Sequence, residues 1–328
     1  AYRTKNYGKS WERIVDEDDV QSYALCIIED PENENLLFLG TDDGLYISIN
    51  AGDKWTKWTE GFPTVPVKDL VIHPRENDLI IGTFGRAAWV LDDIRPLRAI
   101  ANGAITSKKL ALFAPPVAYQ TASQQPTGSR FGADAMYQGE NRKRGAQISF
   151  YINKPKVEKK EARGKKQDKT LKQVQSDTKT SVKYDSIKLE VFDGNRKIRT
   201  LKFKTPKENG VHKTTWYLRE KGVARASRSI RKSKREPSGV TVKPGTYHLK
   251  MTFGNDVSEQ NIKVEFDPRL QISDEAINQK YEARKKLEKY QEKMAGIVKQ
   301  LVESKNTASS MKSKLSKENK KKYKEEIK

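Results

Sequence analysis

The chain has 328 residues, with 64 Lys and Arg against 43 Asp and Glu, and a formal charge of +21. A hydrophobic share of 35% beside 33% charged residues leaves part of the chain outside any packed core, and the length predicts two or three domains. No apolar run approaches the roughly 20 residues of a membrane helix, so a transmembrane span is excluded. The opening AYRTKNYGKSW holds neither Met nor a signal peptide, so this N-terminus is not expected to be the gene's own. One cysteine, Cys26, excludes an internal disulfide. His73, His212 and His248 are scattered, so no metal site or other cofactor is expected. The charge is uneven: residues 1–100 carry −7 and the remainder +28, so two kinds of polypeptide meet near Ile100.

The first hundred residues contain one pattern twice. Thr4-x-Asn6-x-Gly8-x-x-Trp11 recurs as Ser48-x-Asn50-x-Gly52-x-x-Trp55, offset by 44 residues, which is a propeller-blade period. The flanks repeat too. ALCII and then DLVI predict first strands, Gly40-Thr41 and Gly82-Thr83 end second strands, and Leu45–Ile49 and Ala87–Leu91 predict third strands. A third box is due near residue 92, where the chain instead reads Asp92-Asp93-Ile94-Arg95-Pro96. About two blades are visible, whereas a closed propeller has about 4 to 8. Residues 1–100 are therefore expected to end a longer propeller, with open sheet edges and both box tryptophans half covered.

Beyond a linker at 101–145, alternating patterns in QISFYI, IKLEVFD, KIRTLKF, HKTTWYL, GTYHLKMTF and EQNIKVEF predict an antiparallel sandwich over 146–268. A turn is expected at Asp193-Gly194-Asn195 and an edge at Pro244-Gly245, with Trp216 and Tyr247 as core and edge aromatics. Two basic insertions interrupt it. Residues 154–183 hold 11 Lys and Arg against 4 acids, and 219–236 hold 8 against 2. Their composition fits solvated loops. It also provides polyanion-binding candidates: Lys159, Lys160, Arg163, Lys165, Lys166, Arg225, Arg228 and Arg231. Nucleic acid is the weaker alternative, because no aromatic is interleaved for base stacking. Ser273 then caps a helix whose apolar residues Leu287, Tyr290, Met294, Ile297 and Leu301 are spaced 3, 4, 3 and 4. The polar stretch Ser304–Ser310 predicts a break, so residues 269–328 are expected to form a helical hairpin packed on the sandwich or the propeller rim. The expected fold class is mainly β: terminal propeller blades, a sandwich, then the hairpin.

The S/T-x-[DN]-x-G-x-x-W pattern resembles the Asp-box, or bacterial neuraminidase repeat. The resemblance implies that the polar side chain folds back onto a hairpin turn, that Gly supplies an otherwise closed conformation, and that Trp packs between sheets. Both boxes carry Asn at the Asp position, which keeps the acceptor and removes the charge. GRAAWVLDDIRPLR after such boxes is similar to the last blade of large sortilin-type propeller proteins of Gram-negative bacteria, often labelled glycosyl hydrolases. LFAPPVAYQ, WYLREKGV, KPGTYHLKMT and FDPRL follow in that family's order, which implies a fibronectin type III-like domain and a helical end.

Glycoside hydrolysis needs two carboxylates about 5 to 9.5 Å apart, or in sialidases a Tyr nucleophile with an arginine cluster. The pairs Asp42-Asp43 and Asp92-Asp93 are sequence neighbours, which face opposite ways on a strand. No catalytic residue is assigned. The reading favoured is a noncatalytic binding or scaffold region of a secreted, cell-surface or periplasmic protein of a Gram-negative bacterium. Its expected partners are the remaining blades and, further out, surface proteins or acidic glycans. The alternatives are an accessory part of a glycosidase whose active site lies on other blades, and a basic binder of polyanions or nucleic acid.

Overall fold

The computed structural model describes residues 1–103, 105–122, 142–154, 184–229 and 236–322, and it is mainly β. Strands β1 (Tyr2–Arg3) and β2 (Glu12–Arg13) pair antiparallel across the first Asn-containing box. Strands β3 (Ala24–Asp30), β4 (Asn33–Thr41), β5 (Gly44–Ser48) and β6 (Thr56–Lys57) form a four-stranded sheet in chain order, with the second box joining its last two strands. A three-stranded meander follows: β7 (Val67–Ile72), β8 (Leu79–Thr83) and β9 (Ala88–Leu91).

The four-stranded sheet is covered on both faces. Its central strand β4 sends Leu36 and Phe38 into a core shared with Val67, Leu70, Leu79 and Ile81 of the meander. The alternate residues Leu37 and Leu39 join Val15, Val20, Tyr46 and Trp55 on the other side. A strand buried on both faces reads as an unbroken apolar run, as LLFL does. Each of these side chains contributes roughly 1.5–3 kcal/mol of transfer free energy.

Helix α1 (Arg95–Ala101) replaces the expected third repeat, with Pro96 in its first turn, where a missing N–H costs nothing. Its Arg98 fixes it to the repeat region. The guanidinium Nε donates to both oxygens of buried Asp30 at 2.9 and 2.8 Å, and Nη1 donates to Asn77 Oδ1 at 2.5 Å. Asn33 Nδ2 in turn donates to the Arg98 carbonyl at 2.9 Å.

The six strands expected from alternation are present as β12 (Ala146–Ile152), β13 (Ser186–Asp193), β14 (Arg196–Lys204), β15 (Gly210–Trp216), β18 (Gly245–Phe253) and β19 (Asp256–Phe266). Two short strands precede them, β10 (Leu110–Leu112) and β11 (Ala118–Gln120), and two lie between, β16 (Arg219–Lys221) and β17 (Ser238–Thr241). The sheets β10-β12-β15 and β11-β19-β18-β13-β14 enclose one core that includes Ile148, Phe150, Leu189, Trp216, Leu249 and Phe253. Trp216 and Tyr247 are buried and meet edge to face, with ring centroids 5.5 Å apart. Asp193 pairs with Arg196 across a two-residue turn, where Gly194 takes φ +56°.

Four expectations are corrected. The span 101–145 is not only a linker, because β10 pairs with β12 and β11 runs parallel to β19. The strand opened by Pro244-Gly245 is not an edge, since β18 lies between β19 and β13; Pro244 precedes the ladder and so removes no donor from it. The basic span 219–236 is not wholly a loop: Arg219–Lys221 is β16, paired with β17. The C-terminal hairpin is replaced by one helix, α2 (Asp274–Lys314), 41 residues long, followed by the short α3 (Lys317–Lys322). The stretch read as a break contains neither Gly nor Pro, and the Thr307 hydroxyl donates to the Glu303 carbonyl at 3.0 Å inside the continuous helix.

Candidate functional site

The two boxes fold alike and share three side-chain bonds. In the first, Thr4 Oγ1 donates to Asn6 Oδ1 at 3.1 Å and accepts from Gly8 N at 2.8 Å, and Asn6 Oδ1 accepts from Ser10 N at 2.8 Å. In the second, Ser48 Oγ donates to Asn50 Oδ1 at 2.8 Å and accepts from Gly52 N at 2.9 Å, and Asn50 Oδ1 accepts from Lys54 N at 3.1 Å. Gly8 and Gly52 take φ +85° and +93°. Asn serves here as the acceptor an Asp would be.

The tryptophans part company. Trp55 is 4% exposed, and its indole Nε1 donates to the Ile14 carbonyl of the preceding unit at 2.6 Å. Its backbone N donates to Asp19 Oδ2 at 2.9 Å, and Arg3 Nη1 donates to the Ala51 carbonyl at 2.6 Å across the same seam. Trp11 occupies the equivalent place at the other end and is 63% exposed, with Tyr2 and Tyr7 exposed beside it. The expectation that both would be half covered is therefore wrong in both directions. A second apolar face is open on the far side of the meander, where the cross-strand row Val71–Ile80–Val90 leaves Val71 and Val90 exposed, with Phe84 nearby.

One carboxylate of each acidic pair is engaged structurally. Asp43 accepts from Thr41 Oγ1 and Lys57 Nζ, each at 2.7 Å; burial pushes its carboxyl up, and the lysine and threonine outweigh this and hold it below the usual range. Asp93 is buried against Arg95 at 2.5 Å, and the Asp92 carbonyl accepts from Lys213 Nζ of β15 at 2.6 Å. Of the polyanion candidates, Arg225 and Arg228 are exposed, while Lys159, Lys160, Arg163, Lys165, Lys166 and Arg231 lie outside the described residues. Among the described residues, no group of three or more His, Cys, Asp or Glu is placed to hold a metal ion, and no helix is long and apolar enough to cross a membrane.

Sequence patterns missed a second polar centre, which docks α2. Glu220 of β16 accepts from Tyr281 Oη at 2.6 Å, Arg196 Nη2 at 3.1 Å and Lys285 Nζ at 3.2 Å. Burial raises this carboxyl, and the three donors outweigh it, leaving Glu220 below its ordinary value. One turn on, Glu288 Oε1 accepts from Val240 N at 3.1 Å. Gly239 and Gly222 permit this approach, because a Cβ on Gly239 would stand 2.7 Å from Glu288 Oε1 and 2.8 Å from the Gly222 Cα.

Residues 1–107 match the Sortilin-Vps10 family model, described as sortilin, neurotensin receptor 3. No curated protein matches the chain. A solved structure similar to it is the extracellular domain of the putative one component system BT4673 from B. thetaiotaomicron, at 11% identity and a TM-score of 0.22. That likeness covers 80% of this chain and 28% of the other, so the chain spans less than a third of that domain. The family match covers the repeated sheets and α1 and ends before β10, the first strand of the sandwich.

Proposed function

We propose that the chain is a noncatalytic binding and scaffold region of a secreted or surface-exposed propeller protein, and that further blades cover its two open apolar faces. One observation carries this reading. Two boxes that share three internal bonds differ by 4% against 63% in the exposure of their tryptophans, and only the buried one has residues of a preceding unit against it. The open row of Val71 and Val90 at the other end is the complementary face that a ring of blades requires. The sortilin family match over residues 1–107 agrees with a propeller and with an extracellular setting.

The test is the protein in its own cells. The chain is expected in a particle heavier than itself, reached by protease added outside the cells, with Trp11 shielded from acrylamide quenching relative to the purified chain. A particle of the chain's own mass with Trp11 freely quenched overturns the propeller reading. Resistance to external protease, lost only on lysis, overturns the surface reading.

A further inference from the structure

A cleft of about 550 Å³ opens between the first three turns of α2, strand β17, the Tyr217–Arg219 segment and the end of β11. Its size falls within the roughly 300–1,000 Å³ of pockets that enclose a small ligand. Arg219, Lys243, Lys280 and Arg284 line it, together with Arg144, and no Asp or Glu does. The side chains of Arg219, Lys280 and Arg284 are exposed and make no ion pair among the described residues. Among the described residues, no carboxylate balances the charge of these three side chains. Glu220 and Glu288, the nearest docking acids, are already engaged by Arg196, Lys285, Tyr281 and Val240 N.

The wall is aromatic as well as basic. Tyr217 lines the cleft and is 65% exposed, with Tyr119, Phe266 and Ile272 around it. Leu218, the residue between Tyr217 and Arg219, is held at φ +55° with its side chain buried in the sandwich core. A branched apolar residue rarely adopts that conformation. Here it sets Tyr217 and Arg219 on the cleft wall while Leu218 points inward.

We propose that this cleft binds an acidic saccharide, with a sugar ring stacked on Tyr217 and its carboxylate or sulfate groups held by Arg219, Lys280 and Arg284. A flat apolar sugar face matches an exposed phenol ring, and the guanidinium fork matches planar carboxylate or sulfate oxygens. A peptide adding as a strand is less well served. The Val240 N–H is bonded to Glu288, the Val242 N–H to the Leu218 carbonyl, and the Val242 carbonyl to Gln120 Nε2, so β17 offers little free ladder. The proposal is independent of the propeller reading, because no residue of the repeated sheets lines the cleft.

The experiment titrates the full chain with a heparin-derived tetrasaccharide, a galacturonate oligosaccharide, a neutral cello-oligosaccharide, an acidic peptide and a short single-stranded DNA at low and physiological salt. An acidic saccharide is expected to bind tightest. The double substitution Lys280→Ser with Arg284→Ser is expected to weaken it at least ten-fold and to flatten its salt dependence. Tyr217→Ala is expected to weaken it several-fold with the salt slope unchanged, since stacking releases no counterions. Each variant is to keep the parent melting temperature, as all three side chains are exposed. Equal affinity for the neutral sugar, tighter binding of the peptide or the DNA, or saccharide binding unchanged in both variants overturns the proposal.

Discussion

Thr4–Trp11 and Ser48–Trp55 are the same motif with the same hydrogen bonds to the Thr or Ser hydroxyl and the Asn oxygen, yet one tryptophan is 63% exposed and the other 4%. The comparison separates two properties. The turn is local, made by hydrogen bonds within seven residues, and it forms wherever the sequence places it. The burial of its tryptophan is not local, because it depends on the preceding unit to supply Ile14, Val15 and Val20. A box of this kind is a folded turn carrying an anchor, and the anchor acquires energetic weight only when another unit packs against it.

The largest expected effect tests that separation directly. Trp55→Ala removes a buried indole from the seam between the first two units and is expected to cost about 3–5 kcal/mol, whereas Trp11→Ala in the same chain is expected to stay within about 0.5 kcal/mol. Urea denaturation of the two variants measures both. Equal costs would mean that the first box is packed in solution by a partner face absent from this structure.

The glycines sharpen the comparison. Alanine at either position is strained by the positive φ, but a Cβ at Gly52 also meets the Ile14 Cβ at 2.9 Å, while one at Gly8 finds only a Trp11 ring carbon at 3.9 Å. Gly52→Ala is therefore expected to exceed Gly8→Ala by about 1–3 kcal/mol, the range for overpacking. The same denaturation series reads the difference.

What the sequence disclosed follows the same line between local and nonlocal. The boxes, the strands around them and the six alternating strands of the sandwich were legible because each carries its own period. Strands β10 and β11 were not, since Leu110–Leu112 and Ala118–Gln120 are three residues each and flank a Pro-Pro pair that reads as linker. Helix α2 reads as two in sequence because Ser304–Ser310 has the polar composition of a loop, although no residue in it stops a helix. The acidic-ligand cleft was invisible: Tyr119, Arg144, Tyr217, Val240 and Arg284 come from five separated segments, the sandwich gathers the first four, and the docking of α2 by Glu220 and Glu288 brings Arg284 to them.

That docking differs in kind from the seam between the first two units, and acid should distinguish the two. Glu220 lies below its ordinary value in the folded chain, so its contribution is fully present above the unfolded value near ~4.3 and is lost as pH falls from there toward the folded value. Protection of α2 amides next to β16 and β17 is expected to fall on acidification below about pH 4, with a slope no steeper than about 1.4 kcal/mol per pH unit for one proton. Protection around Trp55 should not follow it through this group. Glu220→Gln should remove the pH response while weakening the dock at every pH. A response that persists in Glu220→Gln would assign it to another carboxylate.

The smallest expected effect isolates the turn from the anchor. Asn50 Oδ1 accepts from the Ser48 hydroxyl and Lys54 N, and Asn6 Oδ1 accepts from the Thr4 hydroxyl and Ser10 N, so an aspartate at either position keeps both acceptor contacts. Asn6→Asp loses one donor, the Nδ2 bond to Ser10 Oγ at 2.8 Å, but a hydroxyl rotates and can donate to the new carboxylate instead. Charge-assisted bonds from backbone N–H groups offset the added repulsion in a region that already carries −7. Both substitutions are expected to lie within about 0.5 kcal/mol of the parent at neutral pH, while Asn50→Ala costs about 0.5–1.5 kcal/mol through the lost acceptor. The decisive quantity is the difference between the two boxes. If the turn is local, Asn6→Asp and Asn50→Asp shift the denaturation midpoint equally, although Trp11→Ala and Trp55→Ala do not. Unequal Asn shifts would show that the neighbouring sheet also stabilises the turn, and that the two halves of the motif cannot be treated separately.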